Sequence, residues 1–174
     1  MRSIEEQIKL SAQKALKSES KSIDLLATNL PQDLPRFILR VIEIKGRVVV
    51  SGVGKSGHIG KKIASTLAST GTPSFFIHPT EASHGDLGMI QKEDICLLIS
   101  NSGEASEFYD ILNFIKKSSI QMAAISSNPE STLMKAASFK LSIPQSEEVC
   151  PIGLAPTTSA ILTLALGDAI AVSL

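Results

Sequence analysis

Two stretches of this sequence have the residue types and spacing to hold an anion: Ser51-Gly-Val-Gly-Lys-Ser-Gly57 and Ser100-Asn-Ser-Gly-Glu-Ala-Ser106. Each follows a short apolar run and precedes a segment with helical patterning. Small residues let backbone amides approach a ligand, hydroxyls donate without adding charge, and a helix start favours an anion. A P-loop would need its first glycine five residues before Gly54, and that position is Val49, inside the apolar run. A dinucleotide fingerprint is present in Gly52, Gly54 and Gly57. It also requires an acid at the tip of the next strand, which here reads Phe75-Phe76-Ile77-His78-Pro79, with Glu81 too late. The reading left is a single phosphate monoester cupped by amides and by the hydroxyls of Ser56, Ser100, Ser102 and Ser106. Turn chemistry and helix capping would explain either loop alone. Two such loops at neighbouring strand ends favour a ligand.

The ionisable residues nearby each have an ordinary explanation beside a chemical one. Lys55 lies among glycines at a helix start, where an ammonium meets a sugar oxygen or a phosphate, or is simply solvated like Lys61 and Lys62. Glu107 suits the first turn of a helix. Of the adjacent pair Glu147 and Glu148, one is expected to be surface charge. His78, Glu81 and His84 form H-x-x-E-x-x-H, which lacks the i, i+4 histidine pair of a helical zinc site and has no cysteine beside it. Asp86 is expected to be a turn acid.

These residues need a scaffold, and the chain alternates apolar runs with amphipathic stretches, as a parallel sheet wrapped by helices does. Helices are expected over Ile4 to about Ala27 and around Leu34 to Ile44, with Pro31 between them. Strands are expected at Arg47–Val50, Ser74–Ile77, Ile95–Ser100, Gln121–Ile125 and Phe139–Ile143. Helical segments should begin near Ser56, Glu81, Ala105 and Pro129, and a last one after Pro156. The expectation is one doubly wound α/β domain over 1–174, with N-terminal helices at about 3–44 and a sheet core at about 46–174. Ligands of such folds sit at the carboxyl ends of the strands, where both serine-rich loops fall.

Bulk properties narrow the partners. Seventeen basic and seventeen acidic residues cancel, so no global field draws nucleic acid or anionic membrane. With no Trp and one Tyr there is no base-stacking surface. Cys96 and Cys150 read as reduced thiols of a cytoplasmic protein, and MRSIEEQIKLSAQKAL has acids where a signal peptide would be apolar. The apolar stretch Ile152–Leu174 contains Pro156 and Asp168, which suits a buried helix better than a membrane span.

Three long ordered motifs are SGVGKSGHIGKKIASTLASTGTPSFFIHPTEASHGDLGMI, ISNSGEASE and EEVCPIGLAPTTSAILTLALGDAIAV. Through them the chain, from about Ile44 to Ala171, resembles the sugar isomerase (SIS) domain of bacterial D-arabinose-5-phosphate isomerases. The resemblance implies a flavodoxin-like, five-stranded parallel sheet flanked by helices, and a homodimer or homotetramer with sites shared between subunits. It also implies interconversion of D-ribulose 5-phosphate and D-arabinose 5-phosphate through an enediolate, feeding Kdo and lipopolysaccharide synthesis in the cytoplasm, without organic cofactor or metal. Lys55, Glu107 and Glu148 match the family's catalytic positions. Gly54, Ser56, His84, Ser100, Asn101, Ser102 and Ser106 match its substrate and phosphate contacts, and zinc at His84 would be adventitious and inhibitory. The family's CBS domains are not found, and its Ser-His-Pro-Gly-Gly segment, which carries an active-site histidine, would lie beyond Leu174; a truncated form is expected. The rival is a non-catalytic SIS module that senses a sugar phosphate. Transcription regulators of that kind carry a helix-turn-helix upstream, and no recognition helix is legible in the first forty or so residues. A hexose-phosphate isomerase is a third reading.

Overall fold

Burial is continuous along the three central apolar runs and partial along the two at the edges, as in a sheet covered on both faces. In the computed structural model, which describes residues 2–174, these runs are strands β1 (Val48–Gly52), β2 (Ser74–Ile77), β3 (Ile95–Ile99), β4 (Met122–Ser126) and β5 (Phe139–Ser142). All pair in parallel, in the order β2-β1-β3-β4-β5. Helices α1 (Ile4–Thr28), α2 (Leu34–Glu43), α3 (Gly54–Ser69), α4 (Pro79–Ser83), α5 (Tyr109–Lys117), α6 (Thr132–Ala136) and α7 (Thr158–Val172) supply the cover.

Side chains of alternate strand residues point to opposite faces, and the two cores follow that rule. Val48, Val50, Leu97 and Ile125 pack with α2, α3 and α7. Val49, Leu98 and Ala124 pack with α5 and α6. Cys96 belongs to the second core, where burial pushes its thiol up to about 12, out of reach of thiolate chemistry. At the entry edge of the sheet Asp94 is buried and accepts hydrogen bonds from the Arg47 amide (2.7 Å), the Arg47 guanidinium (2.9 Å) and the Gln91 amide (2.8 Å). That pairing joins the entries of β1 and β3.

The expected strands are all present, displaced by a residue or two at their ends. One helix start is corrected. Pro129 does not open α6, because Asn128 Oδ1 accepts the Glu130 amide in a local turn. Ser131 caps the helix instead, accepting from the Met134 amide at 3.3 Å. The segment expected near Ala105 opens as a 3₁₀ turn, Ser106–Phe108, before α5. Among the described residues no helix is long and apolar enough to cross a membrane.

Candidate active site

In the order β2-β1-β3-β4-β5 the chain winds outward in both directions from the β1/β3 pair, and the crevice beyond their carboxyl ends is where ligands settle in open α/β sheets. Gly52 pairs with Ile99 there, so the two serine-rich loops leave adjacent strands side by side. They meet the start of α7 in a narrow cleft of about 30 Å³ lined by Lys55, Ser56, Asn101, Pro156, Ser159 and Thr163.

The start of α3 is built for an anion. Its N-cap, Val53, has no side-chain cap, and no acid stands in its first turn. Ser3 caps α1, His78 caps α4 and Ser131 caps α6, whereas α2, α5 and α7 share with α3 an N-cap residue that makes no such bond. Gly54, the first residue of α3, has φ 56°, a left-handed conformation natural to glycine, and the space beside its Cα is open. Lys55 is exposed and Ser56 half-buried at this end. Lys55 and Ser56 of this first turn line the cleft, at a helix end whose free amides favour an anion.

The second loop is held from below. Ser100 is buried, and its Oγ accepts the Gly103 amide at 3.0 Å, so this hydroxyl props the loop from inside. The Asn101 carbonyl accepts from Ser126 Oγ (2.9 Å), the Ser127 amide (3.1 Å) and Ser127 Oγ (3.0 Å). The Gly103 carbonyl accepts the Leu133 amide at 3.0 Å. Gly103 has φ 70°, and a Cβ built on it would lie 2.0 Å from Ser131 Oγ, so no other residue fits. Ser102 Oγ accepts the Glu104 amide at 3.3 Å and keeps its own proton for a ligand.

Glu148 is half-buried in the segment between β5 and α7, and it caps that last helix. Its Oε2 accepts the Thr157 amide (2.7 Å), Thr157 Oγ1 (2.9 Å) and the Ser159 amide (3.3 Å), while Ser159 Oγ donates to Oε1. Burial acts to raise its pKa, and these hydrogen bonds from Ser159 and Thr157 outweigh it, holding the carboxyl below the ordinary 4.5. Ser159 reaches both ways, lining the Lys55 cleft and binding Glu148. Of the expected residues, Lys55, Ser56 and Asn101 thus share one cleft, with Glu148 one hydrogen bond away. Glu147 is exposed.

The remaining expected residues lie apart from that cleft. Glu107 and Ser106 are exposed in the 3₁₀ turn, and Ser106 faces a separate depression with Tyr109 and Thr132. His84 ends α4, exposed. Among the described residues no group of three or more His, Cys, Asp or Glu could hold a metal ion. Sequence reasoning missed Thr157, Ser159 and Thr163. The signal that could have found them was Thr157-Thr158-Ser159 directly after Pro156, a run of capping residues with no acid of its own.

Known proteins resemble this chain along nearly its whole length. The arabinose 5-phosphate isomerase KdsD of Pseudomonas aeruginosa is 51% identical over 164 residues, which cover 94% of this chain and 50% of that protein. KdsD of Yersinia pestis is 52% identical over 159 residues, 91% of this chain and 48% of that protein. The chain thus spans about half the length of the curated relatives it matches. Among solved structures, the c3406 protein of E. coli CFT073, in complex with arabinose 5-phosphate, superposes with a TM-score of 0.92 at 38% identity, covering 98% of this chain and 90% of that one. The model of the SIS domain matches residues 42–173, and the chain belongs to the SIS domain family.

Proposed function

We propose that this chain is the isomerase domain of an aldose–ketose isomerase that interconverts D-ribulose 5-phosphate and D-arabinose 5-phosphate. The observation that carries the reading is the uncapped start of α3 opening, with Lys55 and Ser56, onto the same cleft as Asn101 and Ser159. Likeness to the isomerases of P. aeruginosa and Y. pestis supports the choice of substrate. In this reading the amides of the two loops and the hydroxyls of Ser56 and Ser102 hold the phosphate, with Ser100 shaping the second loop from inside. A carboxylate removes the C1 proton of the ketose and returns a proton to C2, and the Lys55 ammonium offsets the negative charge on the enediolate oxygens. Glu148 is the assigned base, Glu107 the second acid and His84 a binding residue. The pathway implied is Kdo and lipopolysaccharide synthesis in the cytoplasm.

A cleft of about 30 Å³ is far smaller than the roughly 300 Å³ at which ligand pockets begin, so it is the floor of a site whose walls lie elsewhere. A homodimer or homotetramer would supply them. Ile4, Ile8 and Leu16 recur on the exposed side of α1 and offer an apolar surface to a second copy. Light scattering at micromolar concentration is expected to give a dimer or tetramer mass; a monomer mass would remove the shared-site model.

The direct test is turnover in D₂O. Ribulose 5-phosphate should yield arabinose 5-phosphate carrying deuterium at C2, because the carbon is reprotonated from solvent-exchanged acid. Product without deuterium would replace the enediolate by a hydride shift. Tight binding of arabinose 5-phosphate with no turnover, even with the segment beyond Leu174 supplied from the P. aeruginosa relative, would point to a sensing module.

A further inference from the structure

The serine loop carries an acid where a phosphate site would ordinarily exclude one. Glu104 follows Gly103, two residues from Ser102, and a solvated carboxylate there would repel the anion. The carboxylate keeps its charge and is tied elsewhere by hydrogen bonds. Both carboxylate oxygens turn away to α6, accepting the Thr132 amide at 2.9 Å and Thr132 Oγ1 at 2.7 Å. These two bonds, the side-chain bond first, hold the Glu104 carboxyl below its ordinary pKa.

We propose that Glu104 and Thr132 form a brace that sets the conformation of the Ser100–Ser106 loop, making Glu104 a positioning residue for phosphate binding. This rests on the reading of that loop as a phosphate site. Three observations lead here. Glu104 is exposed, so its bond to Thr132 adds little to overall stability. The loop is already fixed at Asn101 by Ser126 and Ser127, and at Gly103 by Leu133. The Glu104–Thr132 contact is the third fastening, just past Ser102, and the Glu104 amide itself donates to Ser102 Oγ at 3.3 Å. A hydroxyl is thereby oriented by a residue that itself never needs to touch the ligand.

The sign of one measurement separates this role from simple charge. Deleting a carboxylate beside an anion site should tighten anion binding on electrostatic grounds, and should weaken it if the carboxylate holds the loop in shape. We expect Glu104→Ala to weaken D-arabinose 5-phosphate binding about fivefold by calorimetry, against that electrostatic trend. Thr132→Val, which removes one fastening and no charge, should weaken it as well, and Thr132→Ser should restore it. Where turnover is measurable, KM should rise by more than kcat falls. Hydrogen exchange at Gly103–Ser106 of the unliganded chain should speed up in Glu104→Ala and Thr132→Val while melting temperatures hold. Tighter or unchanged binding in Glu104→Ala, or unchanged exchange in that segment, overturns the brace. Should the unsubstituted chain bind no sugar phosphate, the phosphate-site reading fails, and the exchange measurement still decides whether Glu104 holds the loop.

Discussion

Replacing Glu148 by glutamine is expected to slow isomerisation by at least about a hundred-fold, since general acid–base groups contribute about 10²–10⁴ in rate. The amide keeps the shape of the side chain and an oxygen for the Thr157 and Ser159 amides, and it cannot take up a proton. Substrate binding should change by less than about tenfold. The measurement belongs in this chain and in one extended past Leu174 with the corresponding segment of the P. aeruginosa relative. Glu147→Gln, on an exposed neighbour, is the control and should stay near the parent. Because Glu148 also caps α7, the glutamine variant should melt slightly lower. The pH dependence follows from the same bonds. A carboxyl whose folded pKa is depressed contributes stability above its unfolded value, near 4.5, and loses it as pH falls through the lower folded value. The basic form needed for proton abstraction persists over the same range, so the acid limb that Glu148 sets on kcat/KM should lie below pH 4.5. If glutamine leaves turnover intact, the base is another group, with Glu107 the next to test. If it mainly abolishes binding, Glu148 holds sugar hydroxyls.

Gly103→Val is expected to be the most damaging single change in the serine loop. The left-handed backbone at φ 70° costs a β-branched residue about 1–2 kcal/mol or more. The new Cβ would also fall 2.0 Å from Ser131 Oγ and 2.4 Å from Ser131 Cβ. Ser131 has nowhere to turn, because its hydroxyl caps α6 at the Met134 amide. Overpacking of this kind adds about 1–3 kcal/mol. The combined loss should lower the melting temperature by roughly 5–15 °C for a chain of this size, with sugar-phosphate binding lost as the loop is displaced. Gly54→Ala makes the comparison. Gly54 also has positive φ, 56°, and nothing lies within 4 Å of a Cβ built there. It should show only the backbone penalty, about 1 kcal/mol. Equal melting temperatures for the two variants would contradict the crowding at Gly103.

How much of this was legible in advance depended on distance along the chain. Strands such as Ile95–Ile99 are marked by their own composition, and their parallel order follows from the helical segments between them. Rivals for the glycine-rich loop were separable because each demands a residue at a fixed offset: a glycine at Val49, an acid after Ile77. The start of α6 was misplaced by three residues because Asn128-Pro129 is as good a turn as it is a helix opening, and the side chain that caps, Ser131, comes after it. The role of Glu148 was half visible. Its neighbour Glu147 has the same local signature, and what distinguishes them is a cap completed by Thr157 and Ser159 after an irregular loop with no periodicity to extrapolate. The bond between Glu104 and Thr132 spans 28 positions and joins the serine loop to the start of α6, a pairing that no propensity or spacing rule encodes.

Helix α1 has a consequence of another kind. It is 25 residues long, with a capping box at Ser3 and Glu6, yet Leu26 is the one residue it buries among those described. Its Ile4, Ile8 and Leu16 stand in water, 64–76% exposed. The residues of the helix up to Lys14 are exposed and half-burial begins only at Ala15, so the first half of the helix rests largely on intrinsic propensity, which supports isolated helices poorly. In the homo-oligomer proposed above, a neighbouring copy would complete the folding of α1, and protein concentration would become a folding variable. Dilution would then act first on the amino-terminal turns and leave the five-stranded sheet standing.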